Sequence, residues 1–154
     1  MITWCQNNLE KKNVKFYHAD IFSKVYNPKG NPIKEYSLPA EDNYVTLIVS
    51  VSVFSHLLYE DFIHYVAEAN RVLTQNGHLH MTLFLLDFIK DRIDNRWTFK
   101  HKLDNCYVEN LKYPEAAVAY ELQIVEKILS SNGFSIAEIY NKNLHQQTLI
   151  AKKV

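Results

Sequence analysis

The pattern of apolar and polar positions is clearest between residues 44 and 86. Val45–Val51 is rich in β-branched residues and carries no charge, which predicts a strand buried on both faces. Asp61–Thr74 repeats apolar side chains at helical spacing, and Asn76-Gly77 is expected to end that helix. His78–Leu86 is a second apolar run and predicts a second strand. Together they predict a βαβ unit, which builds a parallel sheet.

The chain before this unit gives weaker signals. Ile2–Lys12 has the spacing of a helix, and Val14–Ala19 predicts a short strand that ends at Asp20. Residues 21–43 are irregular and contain the turn-rich segment Tyr26–Pro32. A connection of this length without regular structure is long for a compact domain, so we expect it to be a functional loop.

The segment after Leu86 has a mixed pattern. We expect a short helical turn over Asp87–Ile93 and an extra strand over Trp97–His101. No regular element is predicted from there to Pro114.

A helix and a hairpin are predicted at the C-terminal end. The helix is expected to open at Pro114, because proline is favoured in the first turn. Its buried stripe consists of Val118, Leu122, Val125 and Leu129. Asn132-Gly133 is expected to end it. Phe134–Tyr140 and Gln147–Lys152 follow as strands joined by a short connection, which predicts an antiparallel hairpin at one edge of the sheet.

Composition narrows the class of protein. Seventeen basic and seventeen acidic residues give a net charge of zero, which argues against a nucleic-acid or membrane-surface binder. We expect one domain over residues 1–154, located in the cytoplasm, because there is no apolar run of bilayer length and no signal peptide. Cys5 and Cys106 form no disulfide framework or metal-type pair.

Glycine is scarce, with three residues in the chain. Gly30 lies in a proline-rich turn, while Gly77 and Gly133 are expected to follow helices. A loop that cradles a phosphate or a dinucleotide needs two or three closely spaced glycines. The sequence therefore contains no such loop.

Four segments, in order, resemble the class I S-adenosylmethionine-dependent methyltransferases. Asp20-Ile21 is similar to the acidic residue and its neighbour that follow the third strand of that family. Ser50–Leu57 resembles the motif after its fourth strand, and Asn70–Leu79 resembles the Arg-Val-Leu stretch that leads into its fifth. Ser131–Phe134 and the hairpin resemble its ending. The resemblance covers about Ile2–Lys152. It implies S-adenosylmethionine as cofactor and an α/β, Rossmann-like parallel sheet with helices on both faces and a C-terminal antiparallel hairpin.

The sequence also departs from that family. It lacks the Gly-rich loop after the first strand and the acidic residue after the second. Thr46 and Asn76 stand where the family usually has Asp and often has Gly. If Ile2–Lys12 corresponds to the second family helix, a βαβ unit of roughly 30 residues or more is missing before it. We therefore expect an N-terminally truncated domain that binds cofactor poorly, catalyses little alone, and has unpaired strand edges that favour self-association.

The resemblance assigns cofactor-binding positions and no catalytic residue. The five cofactor-binding positions are Asp20, Ile21, Ser50, Val51 and His56. Asp20 could accept a hydrogen bond from the adenine amino group, or it could cap a turn. His56 could act as a base or contact the cofactor, but we favour a bond to backbone that shapes the loop. Ser50 and Val51 are expected to contribute backbone contacts.

Other reactive side chains have simpler interpretations. His78 and His80 share a strand face but have no third metal ligand nearby in sequence, so we expect no metal site. Cys106 is weak evidence for a nucleophile without a placed histidine. Trp97, Tyr107 and Tyr113 fall where the resembled family often builds an acceptor-binding cap, and they could equally pack in a core.

Three functions fit these observations. The first is an S-adenosylmethionine-dependent methyltransferase for a small molecule, truncated and impaired as this chain alone. The second is a non-catalytic methyltransferase-like remnant that acts as an interaction or regulatory partner. The third is an unrelated nucleotide-binding α/β domain, which the missing Gly-rich loop and the terminal hairpin disfavour.

Overall fold

Four helices and seven strands make up the part of the chain that the computed structural model describes, residues 1–89, 96–141 and 145–154. The helices are α1 (Ile2–Leu9), α2 (Tyr59–Val72), α3 (Leu86–Ile89) and α4 (Leu122–Ser131). The strands are β1 (Val45–Ser50), β2 (Leu73–Leu85), β3 (His101–Leu103), β4 (Cys106–Val108), β5 (Val118–Tyr120), β6 (Phe134–Tyr140) and β7 (Gln147–Lys153).

The long strand β2 organises the sheet. β1 and β5 pair with one edge of it in parallel, and β7 pairs antiparallel with the other edge. β6 pairs with β7 as the predicted antiparallel hairpin, and β3 and β4 extend the sheet beyond β5. The βαβ unit β1–α2–β2 and the Rossmann-like α/β class are therefore confirmed. The sheet as a whole is mixed because the added strands are antiparallel.

Helices α2 and α4 cover one face of the sheet. They pack on Leu79, Met81 and Leu83 of β2, all 1% exposed or less, and form the main core there. On the opposite face α3 packs in a smaller cluster around Phe84 and Phe99. The rest of that face has no helix over it in the described residues.

The uncovered part of the sheet corrects the prediction for β1. Leu47 and Val49 are 52% and 62% exposed, so the expectation that this strand is buried on both faces is wrong. Within the described residues β1 pairs with β2 alone, and its outer edge has no strand beside it. This strand has the composition of a central one and the position of an edge one.

Three predicted elements differ at the N-terminal and central parts. Val14–Ala19 is not a strand, because no strand in the described residues pairs with it. The helix α2 ends at Val72 rather than at Asn76-Gly77, and β2 starts at once. Asn76 instead takes the left-handed conformation, with φ of 65°, inside the strand.

The C-terminal helix also begins later than predicted. Pro114–Ala116 is a short 3-10 turn, and Val118 belongs to β5 rather than to the stripe of a helix. β5 is fully buried between β2 and β4, where a ladder of backbone hydrogen bonds outweighs the helical spacing. The strand predicted over Trp97–His101 is wrong for residues 97–100, because the strand there, β3, begins at His101. Much of the predicted turn Asp87–Ile93 lies outside the described residues.

The structure also bears on membrane association. Among the described residues, no helix has both the length and the apolar character needed to cross a bilayer.

Candidate functional site

The loop that follows β1 lies at the carboxyl end of the parallel strands. Ser52 takes a left-handed conformation, with φ of 57°, and turns the chain into a 3-10 segment, Phe54–His56. The Ser52 backbone N–H donates to Thr82 Oγ1 over 2.7 Å. The Gln146 side-chain amide donates to the hydroxyls of Ser52 and Ser55 over 3.0 and 3.2 Å. These contacts hold the loop at the end of the sheet where open α/β folds bind ligands.

A turn between residues 20 and 31 faces this loop. The Asn27 side-chain amide donates to the Asp20 carboxylate over 2.8 Å, and the Asn31 backbone N–H donates to the Asp20 carbonyl over 2.9 Å. Gly30 lies so close to Ile21 that an added Cβ would come within 2.3 Å of a backbone atom. Asp20 therefore makes the contacts of a turn-stabilising residue, and Gly30 permits the close approach.

Glu115 joins the turn to the loop. Its carboxylate accepts hydrogen bonds from the Ser23 hydroxyl and, over 3.4 Å, from the Val25 backbone N–H. Its carbonyl oxygen lies 2.8 Å from Nδ1 of His56. Because a carbonyl can only accept, Nδ1 carries the proton in this contact, and in that tautomer the lone pair is on Nε2. The Tyr26 hydroxyl lies 3.3 Å from the same Nδ1.

Two cavities meet at this junction. The first, of about 250 Å³, we call the acidic cavity because Asp61 and Glu115 are in its wall. Its lining consists of Ile21, Phe22, Ser23, Tyr26, Ile33, Ser52, Val53, His56, Leu57, Asp61, Tyr65 and Glu115. Burial, and after it the nearby Glu115 carboxylate, raises the pKa of Asp61. Burial also raises the pKa of Tyr65, to about 12, so that hydroxyl stays protonated near neutral pH.

The second cavity, of about 490 Å³, we call the aromatic cavity because Phe84 and Trp97 are in its wall. Its described lining residues are Tyr26, Ser52, His56, Phe84, Arg96, Trp97, Ala116, His145 and Gln146. Tyr26, Ser52 and His56 also line the acidic cavity. These three residues thus form a wall that the two cavities share.

The five predicted cofactor-binding residues are dispersed. Ile21 and His56 line the acidic cavity, so the structure brings these two together. Ser50 lines a separate cavity of about 250 Å³ beside Tyr36 and Leu38. Asp20 lies in the turn, outside the acidic and aromatic cavities, and Val51 is 67% exposed.

Sequence reasoning missed Tyr26, Asp61 and Glu115. Tyr26 and Glu115 are 30 and 59 positions from His56 in the chain, so no spacing pattern connects them. In sequence the Pro114-Glu115 pair fits a helix start, and that pattern does not reveal that Glu115 is buried in a short 3-10 turn. The dense turn signal around Tyr26 was the one available clue.

The surroundings of His78, His80 and Cys106 indicate structural roles for these side chains. His78 and His80 lie half-buried on one strand face, and no group of three potential metal ligands occurs among the described residues. Cys106 is 2% exposed, and burial raises the pKa of its thiol to about 11. A thiol with that pKa is a poor nucleophile at neutral pH.

The fold and the family comparison agree. Residues 1–81, just over half of the chain, match the family defined as the methyltransferase domain. The chain belongs to this family and has a class I S-adenosylmethionine-dependent methyltransferase fold. This membership contradicts the third interpretation, an unrelated nucleotide-binding domain.

Solved structures give the same fold at low sequence identity. An S-adenosylmethionine-dependent methyltransferase from Methanosarcina mazei matches with a TM-score of 0.56 and 17% identity, over 86% of this chain and 73% of that one. One from Aquifex aeolicus gives 0.51 and 19%, over 82% and 55%. The Burkholderia thailandensis 1,6-didemethyltoxoflavin-N1-methyltransferase gives 0.52 and 11%, over 80% and 49%. This chain thus spans about half to three quarters of the length of these proteins.

Proposed function

We propose that this chain is part of an S-adenosylmethionine-dependent methyltransferase that acts on a small molecule. The observation that carries the proposal is the acidic cavity at the carboxyl end of β1. It lies between the turn after Asp20 and the loop after β1, and Ile21 and His56 are in its wall. A cavity in that position, within a domain of this family, is the expected place for the cofactor.

The residues present fit one side of a cofactor site. Ile21 and Val53 offer apolar surface, and the carboxylates of Asp61 and Glu115 favour a cation, the charge type of a sulfonium. When bound, the cofactor supplies a methyl group that is already activated as an electrophile. The other side of the site has no counterpart, because none of the three glycines belongs to a Gly-rich loop. We therefore propose an N-terminally truncated domain that is impaired as this chain alone.

His56 is the group best placed to assist the acceptor. Its Nδ1 is held by the Glu115 carbonyl, which fixes the ring and leaves the Nε2 lone pair for another partner. That lone pair can accept a proton from a hydroxyl or amine as it becomes a nucleophile. The remaining contribution of the chain is positioning, since methyl transfer needs the acceptor in line with the methyl group.

The acceptor class rests on cavity size and on a relative. Cavities of about 250 and 490 Å³ suit small molecules. The Burkholderia thailandensis structure holds 1,6-didemethyltoxoflavin and S-adenosylhomocysteine, a small acceptor and the spent cofactor. The neutral net charge supports our proposal that the protein has no nucleic-acid or membrane partners. We also propose a cytoplasmic location.

A second candidate is a non-catalytic interaction protein, and β1 favours it. Leu47 and Val49 of β1, and Val51 directly after it, are each more than half exposed, and the outer edge of β1 is unpaired in the described residues. Such an edge pairs readily with another strand, so self-association or a partner strand is expected there.

Reading the DNA upstream of the Met1 codon separates the two candidates. An in-frame segment that encodes a strand, a Gly-rich loop and an acidic strand end supports the methyltransferase, and the extended protein should then transfer labelled methyl groups from S-adenosylmethionine. A stop codon without that segment would favour the interaction protein. Methyl transfer by the purified 154-residue chain would contradict its impairment.

A further inference from the structure

The aromatic cavity has walls suited to a flat ligand. Phe84 is 4% exposed and fixed by ring contacts, with its centroid 5.9 Å from that of Trp97 and 4.9 Å from that of Phe99. Trp97 and Phe99 are tilted by 30° with centroids 6.2 Å apart. Rings held in this way offer apolar surface without the entropy cost of ordering flexible side chains.

The charge of the aromatic cavity is the opposite of that of its neighbour. Its lining contains Arg96 and the three-residue wall already described, together with His145, and none of its described lining residues carries a carboxylate. The Arg96 guanidinium lies 4.4 Å from the centroid of the Trp97 ring, and it forms no ion pair within the described residues. A guanidinium that stacks on an indole keeps its N–H donors free for a carboxylate or another oxyanion.

The two cavities together form a charge-sorted pair. The acidic cavity contains two carboxylates, and the aromatic cavity contains an arginine and aromatic rings. Among the described lining residues, the two cavities share Tyr26, Ser52 and His56. A cationic methyl donor and an electron-rich acceptor would therefore be drawn to opposite sides of that wall, with the reacting atoms at His56.

We propose that the aromatic cavity binds the methyl acceptor, and that the acceptor is a planar molecule carrying an anionic group which Arg96 recognises. This inference rests on the proposed function. In this arrangement Trp97 and Phe84 contact the ring of the acceptor, and Arg96 binds its oxyanion.

A series of ligands with one ring and three charges tests the acceptor class. The probes are 4-hydroxybenzoate, 4-hydroxybenzamide and tyramine, titrated into the 154-residue chain and followed by calorimetry and amide chemical shifts. We expect 4-hydroxybenzoate to bind tightest and tyramine weakest, with the benzoate affinity falling as salt is added. Equal or tighter binding of tyramine, or no binding of 4-hydroxybenzoate, would overturn the proposal.

Matched variants locate the binding. Arg96→Gln should weaken 4-hydroxybenzoate about tenfold, as expected for loss of one charge-assisted contact, and leave the benzamide unchanged. Lys100→Gln removes an exposed charge that is nearby in sequence but outside the cavity lining, and should change neither. Trp97→Leu should weaken the binding of 4-hydroxybenzoate and of 4-hydroxybenzamide. Trp4→Leu, at an exposed tryptophan, should weaken neither.

A failure of the acceptor inference can be distinguished from a failure of the proposed function. S-adenosylhomocysteine binding by an extended protein tests the cofactor side, and Arg96→Gln should leave it unchanged. If S-adenosylhomocysteine binds while Arg96→Gln has no effect on 4-hydroxybenzoate, the acceptor inference fails and the proposed function stands. Circular dichroism spectra that match the unsubstituted chain serve as the folding control for every variant.

Discussion

The chain divides into two unlike regions. Residues 45–154 contain every described strand and every buried side chain, including the aromatic cluster of Phe54, Phe62 and Tyr120. Residues 1–44, which we call the first region because they come first in the chain, contain no buried residue. Polar contacts attach this region, with Glu115 bound to Ser23 and Arg71 bound to the loop around Leu38, and half-buried Ile33 adds an apolar contact with the core. The acidic cavity lies where the two regions meet, so its shape depends on hydrogen bonds on one side and on a packed core on the other.

The largest expected effect is in the core. Phe62 is fully buried, and its ring centroid lies 4.8 Å from that of Phe54 and 4.9 Å from that of Tyr120. Phe62→Ala should lower the free energy of unfolding by about 3–5 kcal/mol, through lost burial and the cavity left behind. Trp4→Ala, in the first region, should change it by less than about 0.5 kcal/mol. Urea unfolding measures both, and similar losses would contradict the division into two regions.

Lys153 tests a polar contact that joins the sheet to the end of α2. Its ammonium donates to the Asn43 side chain and to the carbonyls of Asn70 and Leu73, over 2.6–2.9 Å. Lys153→Met would leave those acceptors without this donor and should cost about 1–3 kcal/mol.

The adjacent Lys152 provides the matched control for this variant. Lys152 faces the uncovered side of the sheet and should tolerate methionine with little loss. The two midpoints of thermal unfolding should therefore separate by several degrees. Equal midpoints would show that the Lys153 contacts contribute nothing to stability.

Arg71 tests the attachment of the first region. Its side chain bonds the carbonyls of Leu38 and Ala40 and the carboxylates of Asp42 and Glu68. Arg71→Gln should free the loop, seen as faster amide hydrogen exchange over residues 37–42, while β7 stays protected. Unchanged exchange in the loop would mean that other contacts hold it.

Acidity should release the same loop. The hydrogen bond from Arg71 lowers the pKa of Glu68 below its ordinary value of 4.5. A carboxylate whose pKa is lower in the folded than in the unfolded state stabilises the fold fully at pH values above its unfolded-state pKa. That contribution is lost as the pH falls through the pKa of the folded state. Loop protection, corrected for the intrinsic pH dependence of amide exchange, should therefore fall below about pH 4.5, and Glu68→Gln should remove most of that fall. A pH response that persists in Glu68→Gln would assign it to another group.

The edge strand β1 gives the smallest effect on stability. Val49 is 62% exposed beside an edge that the described residues leave unpaired. Val49→Lys should reduce self-association in sedimentation velocity, because a lysine on an edge strand disfavours pairing with another chain. The free energy of unfolding should change by about 0.5 kcal/mol or less. A chain that is monomeric before the substitution would contradict the proposed association.

Local patterns predicted the elements whose periodicity matches their packing. The unit β1–α2–β2 and the hairpin β6–β7 follow directly from apolar spacing, and Gly133, with φ of 75°, ends α4 as expected. The patterns of apolar spacing gave wrong predictions where a segment is a strand only if a neighbouring strand pairs with it. Val118 lies in a strand because β2 and β4 pair on either side of it, whereas no strand in the described residues pairs with Val14–Ala19.

The candidate site was less predictable than the fold. Ile21 and His56 followed from the family resemblance, and both line the acidic cavity. Glu115 could not be placed, because its role depends on a turn that brings it to Ser23, 92 positions away. Long-range polar contacts of this kind leave no periodic trace in a sequence.

The central claim is that this chain provides one side of a cofactor site and lacks the other. Hydrogen exchange of the 154-residue chain, measured as S-adenosylhomocysteine is added, tests this claim most directly. We predict protection confined to residues 21–33 and 52–57, which does not saturate below about 1 mM ligand because the Gly-rich loop is absent. Saturation at micromolar concentrations, protection confined to other segments, or no protection at any concentration would contradict the claim.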